Sequence, residues 1–99
     1  MKYQELYSGL IRLHILHHAA REPIFGFGIM EELGRHGYKL SAGTLYPLLH
    51  GLEKKNYLKS SQKLAEAKIR RVYRATSQGK KALEEAKLKV KELFGELFE

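Results

Sequence analysis

Hydrophobic positions in the first twenty residues recur at helical spacing. Leu6, Leu10, Leu13 and Ala20 fall on one side of a helix running from Tyr3 to about Ala20, with Gly9 as its weak point. Tyr7, Ile11, His14, Ile15 and His18 project from a second side, so the helix is largely apolar around its circumference and is predicted to be buried on two sides. A chain of 99 residues can hardly cover both. The pattern therefore predicts a partner subunit over the second side, with Ile11 and Ile15 among the dimer contacts.

Arg21 to Gly26 contains Pro23 and reads as a loop. Phe27, Ile29, Met30 and Leu33 then mark a short second helix that closes at Gly34 and Gly37. After a short connection, Ser41 is placed to cap a third helix, its side-chain oxygen accepting from a free first-turn amide. Leu45, Leu48, Leu49 and Leu52 share one face of it. Two short helices joined by a glycine-containing turn outline a helix-turn-helix. Past Asn56 the period changes. Tyr57 to Leu64 and Ile69 to Ala75 are short runs with β-branched or aromatic members, predicted as a two-stranded hairpin. Ala65 to Lys68 offers no Gly, Asn or Pro, so the turn chemistry is poor, and a helical fragment or mobile tip suits Leu64 to Lys68 equally.

Thr76 can cap a last helix running toward Glu99. Leu83, Ala86, Val90, Leu93 and Leu97 alternate there by three and four residues in a coiled-coil-like seam that Phe94 and Phe98 widen. Leu83, Val90, Leu93, Phe94 and Leu97 are the expected dimer contacts of this helix, since the stripe would otherwise leave a contiguous apolar patch in water. The expected fold is mostly α with a small β-hairpin. It comprises a winged helix-turn-helix over residues 1–76 and a C-terminal dimerisation helix over 77–99, both within one domain. No run approaches the ~20 apolar residues of a membrane-spanning helix, and the start lacks the apolar run of a signal peptide. A soluble, cytoplasmic protein with no membrane partner is expected.

Charge then narrows the partner. Eighteen Lys and Arg against eleven acids give a formal net charge of +7, which makes polyanions plausible partners through phosphate contacts. Placement says more than the total. Lys63, Lys68, Arg70, Arg71, Arg74, Lys80 and Lys81 fall within one segment containing a single acid, Glu66. On the third helix, the side opposite the leucines carries Gly43, Pro47, His50, Gly51 and Lys54, flanked by Thr44 and Tyr46. Small residues let a helix approach another surface closely, and the polar ones can bond to phosphates or base edges. Pro47 lies too deep for a first-turn position, so a bend or an irregular start is expected. A solvated helix face is an equally good reading of this helix alone; the basic hairpin beside it favours a winged-helix arrangement with double-stranded DNA as partner. Ser41, Gly43, Thr44, Tyr46, His50 and Lys54 are the candidate contacts from the helix, and Lys63, Lys68 and Arg70 those from the hairpin.

The run Gly43-Thr44-Leu45-Tyr46-Pro47-Leu48-Leu49 followed by Leu52-Glu53 resembles the G-T-L-Y-P-x-L-x-x-L-E signature of the PadR family of regulators. The similarity extends to Phe25-Gly26-Phe27-Gly28-Ile29, like the family's Y-G-Y-E-I, and to Arg70 through Thr76, like its R-R-x-Y-x-L-T, with Gly79 at the next glycine. This resemblance implies a homodimeric winged-helix repressor that binds an inverted-repeat operator, its C-terminal helix supplying much of the dimer contact. It marks Thr44, Tyr46 and Arg70 as DNA contacts. Three positions depart from the pattern: Gly28 replaces an acid, Asn56 stands where a glycine usually ends the third helix, and Ala75 replaces a leucine. Asn tolerates the left-handed backbone, whereas Ala75 implies looser packing under the wing. The chain has no tryptophan, so binding of aromatic drugs is not carried over, and any small-molecule effector is undefined.

Other chemistry finds little support in the sequence. His14 and His18, four residues apart, could share an ion, yet no carboxylate on that face completes a set. They read as a structural or interface pair, and no metal or other cofactor is expected. An enzyme is not expected either: there is no Cys, no Asp and no glycine-rich phosphate loop following a strand. The alternatives to a DNA-binding regulator are a winged-helix module for protein or RNA contact, or a metal-responsive regulator.

Overall fold

The computed structural model describes residues 2–99. Helix α1 spans Gln4–Arg21, and the face it buries carries Ile11, Ile15, Leu16 and Ala19. Ile11 and Ile15 are fully inaccessible inside the chain's own core, while Leu6 is 75% exposed. The expected assignment of the two sides is therefore reversed, and Ile11 and Ile15 have no surface left to offer a partner. Leu83 is mostly buried in the same core, but it still lines the open groove between α1 and the C-terminal helix. Both sides of α1 are apolar, so periodicity does not rank them; the helices packed against it do.

Helix α2 (Gly26–Arg35) buries Ile29 and Leu33, and α3 (Ala42–Lys54) buries Leu45, Leu49 and Leu52 against the same cluster. The segment read as a loop between α1 and α2 contains a two-residue strand, β1 (Ile24–Phe25). It pairs with β3 (Lys68–Ala75), Ile24 opposite Tyr73 and Phe25 opposite Val72. With β2 (Leu58–Ala65) on the other side of β3, the sheet has three antiparallel strands in the order β1-β3-β2 instead of two. Two residues are too few for a detectable period, and this strand exists through its distant partner alone.

β2 and β3 stay in register from Leu58 opposite Ala75 to Ala65 opposite Lys68. The connection is a two-residue turn, Glu66 and Ala67, both at positive φ (51° and 63°). Paired left-handed residues match the right-handed twist of a hairpin, the geometry usually given to Asn and Gly. The strands thus run the full length of the wing, and no helical fragment forms at its tip.

Thr76 caps α4 (Ser77–Leu97), its hydroxyl accepting from the Gly79 N–H at 2.9 Å and donating to the Asn56 carbonyl at 2.6 Å. Ser41 occupies the corresponding position of α3, but its hydroxyl makes no cap bond and lies 3.3 Å from Thr44 Oγ1. Pro47 sits inside α3 without interrupting it. The carbonyl deprived of a donor is that of Gly43, an exposed residue, where water can replace the missing amide. Asn56 takes the left-handed conformation (φ 65°) that its position requires. Among the described residues no helix is long and apolar enough to cross a membrane.

Candidate nucleic-acid interface

Tyr46, on the exposed side of α3, and Lys68, Ile69, Arg70 and Arg71 of β3 line one open cleft of about 390 Å³, whose floor is Phe25, Gly26 and Phe27. The fold thus brings Tyr46 together with two of the predicted wing cations. Packing is close at the floor: a Cβ on Gly26 would lie 2.1 Å from the Tyr46 hydroxyl oxygen, so only glycine lets the tyrosine lie across the start of α2. His50 follows one turn along α3, its ring centroid 6.4 Å from that of Tyr46. Ser41, Gly43 and Lys54 are exposed on the same helix, and Thr44 is half-buried.

The wing gathers charge on one side. Lys63 faces Arg70 across the ladder and Lys59 faces Arg74; alternation places these four and Lys68 on one face, while Leu58 and Tyr73 are buried on the other. Burial pushes the Tyr73 phenol above its ordinary pKa. Directly opposed like charges destabilise a sheet, and the cost is relieved when an anion bridges them. Among the described residues the ion pairs are made by Glu32 and Glu84, so none engages a wing cation. The Arg70 guanidinium carbon lies 5.0 Å from the Phe25 ring centroid, a cation–π contact that positions the head group over the ring face.

Glu53 couples the two parts. From the last turn of α3 its carboxylate accepts from the Ser60 amide at 3.1 Å and from the Ser60 hydroxyl at 2.5 Å. Arg71 donates to that hydroxyl oxygen at 3.3 Å. Glu53, Phe27 and Arg71 were not among the candidate DNA-contacting residues. Helical or strand spacing does not distinguish a side chain that bridges two elements, and Glu53 was visible only as the acid closing the resemblance on α3.

A sequence model of the Transcriptional regulator PadR-like family matches residues 15–85. The chain belongs to the PadR family of transcriptional regulators. A transcriptional regulator of Mycobacterium tuberculosis is 47% identical over 94 residues, covering 95% of this chain and 88% of that protein. The crystal structure of a PadR family regulator from Eggerthella lenta superposes with a TM-score of 0.81 at 34% identity, over 96% of this chain and 87% of that one. A PadR-like regulator from Bacillus cereus reaches 0.87 at 25% identity, over 94% and 92%. The winged-helix fold is therefore that of the PadR structures, and transcription regulation, not catalysis, is the activity the family shares.

A second cluster joins α1 to the end of α2. His14 and His18 from α1 meet His36, just past α2, and each of the three has a ring nitrogen within 4.8 Å of the others'. His14 stacks on His36 with ring centroids 4.8 Å apart. Burial, reinforced by the neighbouring histidines, holds the His14 pKa below its ordinary value. The carboxylate of Glu32 lies beside His18 and His36, and its hydrogen bond with Arg35 keeps its pKa low. Sequence spacing reveals ligands on one helix face only; folding adds a third histidine and an acid from another.

Proposed function

We propose that this PadR-family chain acts as a homodimeric repressor that binds an inverted-repeat operator in double-stranded DNA. α3 enters the major groove and the β2-β3 wing follows the adjoining backbone. The observation that carries the reading is the shared cleft of Tyr46, Lys68 and Arg70, flanked by cation pairs that make no ion pair among the described residues. Tyr46, Thr44 and His50 face base edges; Lys63, Lys68 and Arg70 meet phosphates; Ser41, Gly43 and Lys54 complete the approach at either end of the helix.

The dimer rests on α4 and the outer side of α1. Val90, Leu93, Phe94 and Leu97 are exposed, and Leu6 and Leu10 are exposed on α1. A groove of about 430 Å³ runs between the helices, lined by Leu10, Leu13, Val90 and Phe94. A second copy laid across this groove would remove a contiguous apolar surface from water. Leu83 lies at the bottom of this groove, whereas Ile11 and Ile15 do not line it.

Selection of bound sequences from random duplex DNA tests the whole reading. A palindromic consensus with half-sites about one helical turn (~34 Å) apart is the expected result. Salt-insensitive binding without sequence preference, or binding to RNA alone, would refute it.

A further inference from the structure

His14 and His18 are one turn apart on α1, and Glu32 and His36 one turn apart at the end of α2, so two i,i+4 pairs of ligand side chains face each other across a helix crossing. One oxygen of Glu32 lies 3.5 Å from His18 Nε2 and 3.4 Å from His36 Nε2. Both distances exceed the ~2.9 Å of a good N–H···O hydrogen bond. They match the edge of a tetrahedron around zinc, about 3.3 to 3.4 Å for bonds of about 2.0 to 2.1 Å. The other carboxylate oxygen is held by Arg35, which orients the group from behind. We propose that His14, His18, His36 and Glu32 form a binding site for a zinc-class divalent cation.

The donor set is three imidazoles and one carboxylate, which suits a borderline cation and disfavours calcium or magnesium, whose shells are oxygen. The ring nitrogens need to draw in from their present spread of up to 4.8 Å. His36 can make that movement, because its side chain is 46% exposed and its ring meets only His14 and the Glu32 carboxylate, both members of the site. A bound ion would join α1 to the end of α2, the helix that packs on α3, so the site sits on the frame of the DNA-reading helix without entering its face. The ion's binding does not depend on the proposed operator recognition.

The test is a titration of the chelator-treated full chain with Zn²⁺ alone, read by calorimetry, with Co²⁺ as a spectroscopic probe. One zinc per chain is expected, with visible d–d absorption characteristic of four-coordinate cobalt. His36→Ala and Glu32→Gln, each at a partly exposed position, should weaken binding by at least about tenfold. His17→Ala, beside the cluster but outside it, should leave the affinity unchanged. Circular dichroism without metal checks that the variants fold. No binding, binding that survives His36→Ala, or binding abolished by His17→Ala would overturn the site.

Discussion

The Glu53 carboxylate in the last turn of α3 accepts both the backbone N–H and the hydroxyl of Ser60 in β2, so one side chain fixes α3 against the wing. The bond to an ionised acceptor is worth about 1.5 to 3 kcal/mol when partly buried. Glu53→Gln should lower the unfolding free energy by about 1 kcal/mol, and Glu53→Ala by about 2 kcal/mol, in urea denaturation. Both should reduce DNA affinity although Glu53 touches no base. Unchanged stability in both variants would show that the bridge is not held in solution.

Gly79 gives a sharper stability test. A Cβ there would stand 2.1 Å from the Tyr57 carbonyl oxygen, a backbone atom that itself accepts from the Thr76 amide at 3.0 Å. Nothing flexible can yield. Gly79→Ala should therefore destabilise by about 1 to 3 kcal/mol despite the better helix propensity of alanine. Gly95, with open space around it, is the control: Gly95→Ala should be neutral or stabilising. Thermal unfolding of the two variants side by side distinguishes crowding from propensity.

How much of this was legible depended on whether a signal was local. The four helices and the long strands announced themselves through leucine spacing and through the change of period after Asn56, and Asn56 itself takes the left-handed turn its residue type allows. β1 was not legible, because Ile24 and Phe25 become a strand only by pairing with residues nearly fifty positions away. The sides of α1 were legible as two but not in their order. Ile11→Ala should accordingly cost about 2 to 5 kcal/mol, the range for a buried aliphatic, whereas Leu6→Ala should cost under about 0.5 kcal/mol in the monomer. A larger loss for Leu6→Ala than for Ile11→Ala would restore the sequence-based assignment. The motif singled out Tyr46 and Arg70, which the fold brings into one cleft; the Glu53 bridge and the place of Phe27 in that cleft needed the fold.

The α4 surface predicts an assembly that a single charge disrupts. Leu93 is half exposed on the stripe with Val90 and Leu97, so a charge there meets water in the monomer but a buried apolar surface in the dimer. Burying such a stripe contributes about 25 cal/mol per Å² of apolar area before association costs. Leu93→Glu should fold normally, sediment as a monomer at micromolar concentration, and bind operator DNA far more weakly. A wild-type monomer under the same conditions would remove the basis for two coupled half-sites.

Division of labour on DNA follows from where the side chains sit. Lys68 and Arg70 belong to the charged wing, and the phosphates they would meet are the same for every sequence. Lys68→Ala or Arg70→Ala should weaken specific and random DNA alike, and lower the slope of log affinity against log salt by about 0.9 for each phosphate no longer neutralised. Arg70→Ala should have a slightly larger effect, because it also releases the ring of Phe25. Tyr46 behaves differently: it stands on α3 across Gly26, and removing a side chain that reads bases weakens binding mainly on the preferred sequence. Tyr46→Ala should cost about 1 to 3 kcal/mol per half-site on the selected operator, with little change on random duplex and no change in salt slope. Fluorescence anisotropy on both duplexes across a salt series separates the two behaviours. Equal weakening on specific and random DNA for Tyr46→Ala would assign that ring to the backbone and move sequence reading elsewhere on α3.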